Sequence, residues 1–270
     1  MNSRQLLDIT EITGKIPFRM AFAGGWIDQP FISKNNPEPP GSMVVVALEP
    51  TSLFMDRCGM ATSTRKIAGR LWNEGLTNRS PADLVRELYA EENRGKPEPS
   101  GSQDMIGLIY PGVNRLDFDF EYEGGIFPKH IESNNDPAVA EWLERVVKMI
   151  PIAQRPDGYN PLGIKNLDKN WIRRLGQTGK DCYNAIVRGD LAFFGASLND
   201  CMECWEAILP QTVKHPALTV DLLGILDYYQ QRYAGAMYSG CGGGYLYVAS
   251  DEPVPGSISV KVRVKKRAVE

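Results

Sequence analysis

Histidine is scarce in this chain of 270 residues, occurring only at positions 130 and 215. So few imidazoles argue against a His-centred catalytic triad, and no Gly-x-Ser-x-Gly elbow is present to support one. Cysteine builds no framework either: residues 58, 182, 201, 204 and 241 are an odd set without disulfide spacing, as expected of a chain kept in a reducing cytoplasm. Cys201-Met-Glu-Cys204 has half the spacing of a zinc site, but no second pair follows, so buried helical thiols are the expectation. No apolar run approaches the ~18 residues of a membrane-crossing helix, and the first residues lack the basic, apolar, small-residue order of a signal peptide. Neither sign of charge dominates: 30 basic against 33 acidic residues give a formal charge of −3, so neither nucleic acid nor membrane is an expected partner. The locally basic stretch 261–267 alternates Val with Lys or Arg, as an edge strand with one solvated face does. The Walker spacing and internal repeats are also missing.

What is present is the composition of a soluble globular protein, 43% hydrophobic and 23% charged, long enough for one large core or two lobes. Residues 1–13 read as a leading segment, with a short helix over residues 4–9 that packs on the body. A strand pattern over 15–23 then runs into Gly24-Gly25-Trp26-Ile27-Asp28. The glycines permit a sharp turn or a close approach to a ligand, and Asp28 is placed either to cap that turn or to hydrogen-bond a polyol. Apolar residues 43–48 and 52–55 predict one or two buried strands, followed by Cys58-Gly-Met-Ala-Thr-Ser-Thr-Arg-Lys66 and a helix to about residue 73. Small hydroxyl residues therefore fall where a helix begins, the place where unpaired N–H groups and the helix dipole attract an anion. Ser63 or Thr64 is positioned to put a hydroxyl on a phosphate-bound Mg²⁺; an ordinary Ser/Thr cap accounts for the same residues.

Ser80-Pro81 predicts a helix start, with the helix running to about residue 93, and Glu87, Glu91 and Glu92 fall near its end. Asp104 opens a further helix over 105–110, where the dipole stabilises a carboxylate. Strands are predicted over 113–123 and 126–130. The second half predicts helices over 138–150, 167–188, 190–209 and 220–233, with a Pro/Gly-rich linker over 151–163. Ser239-Gly-Cys-Gly-Gly-Gly244 precedes a strand over 245–249 and implies close backbone contact, with a ligand phosphate or between elements. Residues 257–264 are the last predicted strand.

Several of these segments, in this order, resemble the GHMP small-molecule kinases, named for galactokinase, homoserine kinase, mevalonate kinase and phosphomevalonate kinase. The chain looks closest to the sugar-1-kinase branch of heptose-7-phosphate kinases and fucokinases. Arg19-Met-Ala-Phe-Ala-Gly-Gly-Trp-Ile-Asp28 is similar to that branch's first motif, Arg-x-x-hydrophobic-x-Gly-Gly-Gly-Thr-Asp. Gly59-Met-Ala-Thr-Ser63-Thr is similar to the phosphate loop Gly-Leu-Gly-Ser-Ser-Ser. Gly101-Ser-Gln-Asp104 with Pro111-Gly-Val-Asn114 is similar to the Gly-x-Gln-Asp-Gln and Gly-Gly-hydrophobic-Asn segment, and residues 239–244 resemble the glycine-rich third motif.

The resemblance implies an α+β, two-lobe fold: an N-terminal lobe like the second domain of ribosomal protein S5, here shortened, over 1–135, and a ferredoxin-like C-terminal lobe over 136–270. It implies ATP and Mg²⁺ as cofactors, a small-molecule sugar as substrate, a sugar 1-phosphate as product, and a monomer or homodimer. Asp104 and Arg19 take the catalytic roles. Gly59, Ala61, Thr62, Ser63, Thr64, Gly242 and Gly243 take the nucleotide; Asp28, Gly25 and Gly240 take the substrate; Ser63 and Glu92 take the metal. Two departures set an alternative. Few residues lie between the first motif and the phosphate loop, and Arg65-Lys66 follow that loop where relatives have small residues. They suit a catalytically weakened homologue that binds a sugar or nucleotide as a regulatory or scaffold protein. A kinase for a non-sugar alcohol is a third expectation.

Overall fold

A computed structural model describes residues 13–96 and 99–265. The predicted leading helix, residues 4–9, lies outside them. Four strands form the first sheet in the order β1 (Phe18–Ala21), β2 (Gly41–Leu48), β3 (Val113–Phe118), β4 (His130–Asn134), antiparallel throughout. The register pairs Phe18 with Leu48, Met43 with Leu116 and Val113 with Asn134. All eight residues of β2 are buried, the continuous apolar reading of a strand covered on both faces. The one-turn helix α1 (Pro30–Ser33) precedes β2; between β2 and β3 come α2 (Thr62–Leu71), α3 (Pro81–Glu92) and α4 (Gln103–Ile109). α4 covers β1 and β2 from one side.

After α5 (Pro137–Val146) the second sheet is ordered β5 (Val147–Ala153), β7 (Gly243–Ala249), β6 (Gly235–Gly240), again antiparallel. Between β5 and β6 lie α6 (Lys169–Arg188), α7 (Leu191–Ile208) and α8 (Leu222–Gln230). Asp136, Asp168, Asp190 and Asp221 each cap a helix through the side chain, so four of these starts are fixed locally. α6 and α7 pack on each other; α6 lies on β2 and α7 on β6, which joins both sheets into one hydrophobic core. The approach of α6 to β2 depends on two glycines. A Cβ at Gly176 would sit 2.9 Å from Gly41 Cα, and one at Gly179 would overlap the Ser42 carbonyl oxygen.

Several predicted spans change. The helix over 138–150 ends at Val146, and β5 begins at the next residue. Residues 52–55 are not a buried strand: they form no ladder and alternate between half-buried and exposed, and the bridge beside Leu48 is made by Val262. Residues 257–264 contribute isolated bridges: Ile258 pairs with Met149 of β5, and the Arg263 N–H donates to Ala47 O at 2.8 Å. That one segment thus ties the second sheet to the first. β6 was concealed by its flanking glycines. No helix among the described residues is long and apolar enough to cross a membrane.

The contacts of Gly179 reverse the usual sign of a helix substitution. Gly179→Ala is expected to destabilise the protein by about 1–3 kcal/mol in urea denaturation through overpacking. Gly69→Ala in α2, where an added Cβ meets nothing within 4 Å, should instead gain up to about 1 kcal/mol from helix propensity. Equal gains in both variants would contradict this packing.

Candidate active site

Arg19 on β1 crosses α4 at Gly107, where any Cβ would overlap its stem. Its guanidinium pairs with Asp104 Oδ1, and Nη1 donates to Gly59 O at 3.1 Å. The Arg19 side chain is 6% exposed and that of Asp104 27%, so the pair is largely desolvated with the carboxylate facing outward. Thr64 Oγ1 lies 3.5 Å from the other carboxylate oxygen, Oδ2. The first motif, the phosphate-like loop and the Gln-Asp helix therefore converge on one ion pair.

The loop holds an unusual backbone. Gly59 has φ +76° and Ala61, the residue before α2, has φ +53°, both left-handed. A Cβ at Gly59 would overlap Ser239 O, and one at Gly244 would lie 2.5 Å from Cys58 O. Ser239 Oγ donates to Cys58 O at 2.6 Å and accepts from Tyr245 N at 2.9 Å. The dense glycines of the third segment thus serve contact between elements. Gly242 lies under Tyr159 and Arg155, and Gly243 meets Leu222; both of these glycines face protein. In the first turn of α2 Thr62 and Thr64 are buried and Ser63 is exposed.

Arg65 and Lys66 turn away from the loop. Arg65 Nε donates to Ile16 O at 2.8 Å, and its guanidinium stacks 3.8 Å from the Phe18 ring centroid. Burial pulls its pKa down to about 10. Lys66 pairs with Asp56 at 2.5 Å, and that hydrogen-bonded lysine holds the Asp56 carboxyl below its ordinary range.

A cavity of about 270 Å³ opens at this junction, with Arg19, Gly59, Asp104, Gln103 and Gly240 in its wall. Gly25 and Trp26 contribute a further side, clamped to α7 by Gly24 N–H donating to Cys201 Sγ at 3.3 Å and by Trp205 Nε1 donating to Gly25 O at 3.2 Å. Asp28 is fully buried behind that wall, beneath Gly101, where an added Cβ would overlap its carboxylate. Gln103 Nε2 is 3.5 Å from Asp28 Oδ1. Desolvation, reinforced by the charge of Asp104 and opposed by Arg19, pushes the Asp28 pKa up to about 7. Ser100, also in the wall, donates to Glu92 Oε1 at 3.1 Å.

Four buried polar atoms around the cavity have no partner among the described residues: Arg19 Nε, Asp28 Oδ2, Glu92 Oε2 and Gln103 Oε1. Such clustering is rare in a packed interior and marks a place that a ligand or water completes. No group of three or more His, Cys, Asp or Glu among the described residues could hold a metal by itself. A divalent ion here would need anionic oxygens from a bound ligand, and neither Ser63 nor Glu92 is in the cavity wall.

Two wall residues escape sequence reading. Arg155 sits in the stretch that reads as a linker; its Nε donates to Cys241 O at 2.6 Å, and no acidic side chain pairs with it among the described residues. Trp205 reads as one more apolar residue of a helix. Only its contact with Gly25, far away in sequence, reveals its place.

No protein-family model and no curated protein matches the chain. Solved structures do. A mevalonate kinase superposes with a TM-score of 0.59 at 11% identity, covering 93% of this chain and 98% of that one. A galactokinase of Lactococcus lactis, complexed with galactose, gives 0.56 at 11% identity over 95% and 96%. A D-glycero-D-manno-heptose 1-phosphate kinase from Bacteriodes thetaiotaomicron gives 0.53 at 11% identity over 92% and 96%. The chain has the GHMP-kinase fold.

Burial of Asp28 has a measurable sign. Its pKa in the folded protein, about 7, lies above the ordinary 3.8, so folding takes up a proton between those values. Asp28 therefore costs nothing below pH ~4 and destabilises progressively as the pH rises to about 7. Asp28→Asn is expected to match the parent at pH 4 and to exceed it by up to about 4 kcal/mol above pH 7, read by urea denaturation across that range. A difference independent of pH would refute the assignment.

Proposed function

We propose that the protein transfers a phosphoryl group from ATP, with Mg²⁺, to a hydroxyl of a small sugar, the anomeric one, giving a sugar 1-phosphate. The observation that carries this reading is the desolvated Arg19–Asp104 pair, set in a cavity between the main chain of Gly59 and that of Gly240. The sugar kinases among the structural neighbours support it. Phosphoryl transfer demands mainly positioning and neutralisation of charge on the transferred oxygens, and this wall supplies both.

In this reading the sugar hydroxyl loses its proton to Asp104 Oδ2, the oxygen turned to Thr64, while Arg19 holds Oδ1 and fixes the carboxylate. Arg155 is a second cation beside the transferred group, since its Nη2 lies near Gly240, which itself packs on Gly59. The main chain from Gly59 through Ala61 and Thr62 to Thr64 would hold the nucleotide phosphates, and Ser63 with Glu92 the Mg²⁺. ATP and Mg²⁺ supply the phosphoryl group and the screening of its charge. Asp28 acts from behind Gln103, as support for the substrate wall.

A second reading, a homologue that binds ligand without efficient turnover, draws on the strap over 154–157. Gln154 donates to Asp56 O at 2.9 Å and Arg57 pairs with Asp157 at 2.7 Å, so the strap is fastened to the flank of the phosphate-like loop. Under that reading a sugar raises the melting temperature and no nucleotide does.

Asp104→Asn is expected to lower kcat by about 10²–10⁴ in an ADP-release assay while the ATP-induced shift in melting temperature persists. Arg155→Gln should lower kcat by about 10²–10³ as the loss of one charge-stabilising donor. Undiminished turnover in Asp104→Asn would sink the kinase assignment.

A further inference from the structure

The aromatic side of the cavity is built at a cost that the fold does not explain. Trp26 has φ +81°, a left-handed conformation that costs a residue with a Cβ roughly 1–3 kcal/mol. Glycine adopts it freely, and glycine stands here in the sugar-1-kinase pattern that the segment resembles. Trp26 packs against the core with part of its indole and keeps the rest in the cavity, whereas the neighbouring Ile27 is fully buried. Gly25 has a complementary part. Its missing side chain admits Trp205, whose Cζ2 would be 2.8 Å from a Cβ there, and its carbonyl fixes the Trp205 ring. The two indoles stand 6.4 Å apart at 73°, so their planes meet as a corner.

We infer that Trp26, braced edge-to-face by the buried Trp205, forms the platform for the phosphoryl acceptor, and that it selects a ring sugar over an open-chain alcohol. This deepens the kinase reading and rests on it for the word acceptor alone. A pyranose has an apolar C–H face and a hydroxylated rim. The exposed part of the Trp26 indole takes the first; the amides of Gln29 and Gln103 and the carboxylate of Asp104, in the same wall, take the second. An open-chain hydroxy acid has no flat face to cover the indole. Aromatic corners also suit quaternary ammonium ions, but Arg19 and Arg155 line this cavity and only one of them has a carboxylate partner, so a cation would be repelled. A volume of about 270 Å³ suits a single ring.

The test is binding without nucleotide, followed by tryptophan fluorescence and by melting temperature. The probes are galactose, mannose and fucose with their 6- or 1-phosphates, against mevalonate, homoserine and glycerol. Trp26→Gly relieves the left-handed strain, so its melting temperature should equal or exceed that of the parent, which a purely structural indole would not allow. At least one ring sugar should change the parent's emission in a saturable way and bind the variant at least fivefold more weakly. The open-chain compounds should bind both proteins equally poorly. Unchanged sugar affinity in Trp26→Gly, an open-chain compound giving the same emission change, or silence from every ring sugar would each overturn the inference. If Asp104→Asn still turns over, the catalytic reading fails while the platform, read by the Trp26→Gly binding comparison alone, stands.

Discussion

Main chain meets main chain where Cys58 and Gly59 pack against the segment from Ser239 to Gly244, and the cavity exists because of that contact. Gly59 and Gly244 have no room for a side chain, and the Ser239 hydroxyl bridges the seam by donating to Cys58 O. The seam brings an element from the first sheet's side of the molecule to within bonding distance of the turn that closes β6 on β7. Arg19 then bonds Gly59 O from a third direction and carries Asp104 with it. Displacement of the seam by one methyl group would move the loop, the cation and the carboxylate together.

Around that seam, charge is arranged in opposed environments. Asp104 sits in a helix's first turn with an arginine on one oxygen. Asp28 lies close behind it with no cation bonded to it and is driven toward its protonated form by burial, with Asp104 as the second cause. A buried carboxyl group with a raised pKa beside an ion-paired one is a feature that recurs in catalytic clefts. The two extra cations of the loop take no part: Arg65 braces the main chain at residues 16 and 17, and Lys66 answers Asp56.

Residues whose chemistry depends on neighbours in sequence were legible, and residues whose role depends on tertiary approach were not. Arg19, Gly59 and Asp104 fall in short ordered motifs, and the structure gathers them in one wall. Helices α6 and α7 follow from long amphipathic runs with an Asp at each cap. The join of α5 to β5 was missed because Val146 ends one element and Val147 begins the other, with no Gly, Pro or Asn to mark the change of period. Arg155 was hidden among prolines and glycines that read as a linker. For the final segment the period was right and the consequence was not, since its partners come from two different sheets.

That final segment also dictates an order of events during synthesis. β2 emerges early with its neighbours β1 and β3, yet its end at Ala47 to Glu49 stays unsealed until residues 261–263 are made, because their main chain supplies the missing bonds. An open strand edge is a template for pairing with another chain. The nascent protein must therefore carry that exposed edge until residues 261–263 have left the ribosome, and a chaperone's cover until then becomes part of how this molecule reaches its native state.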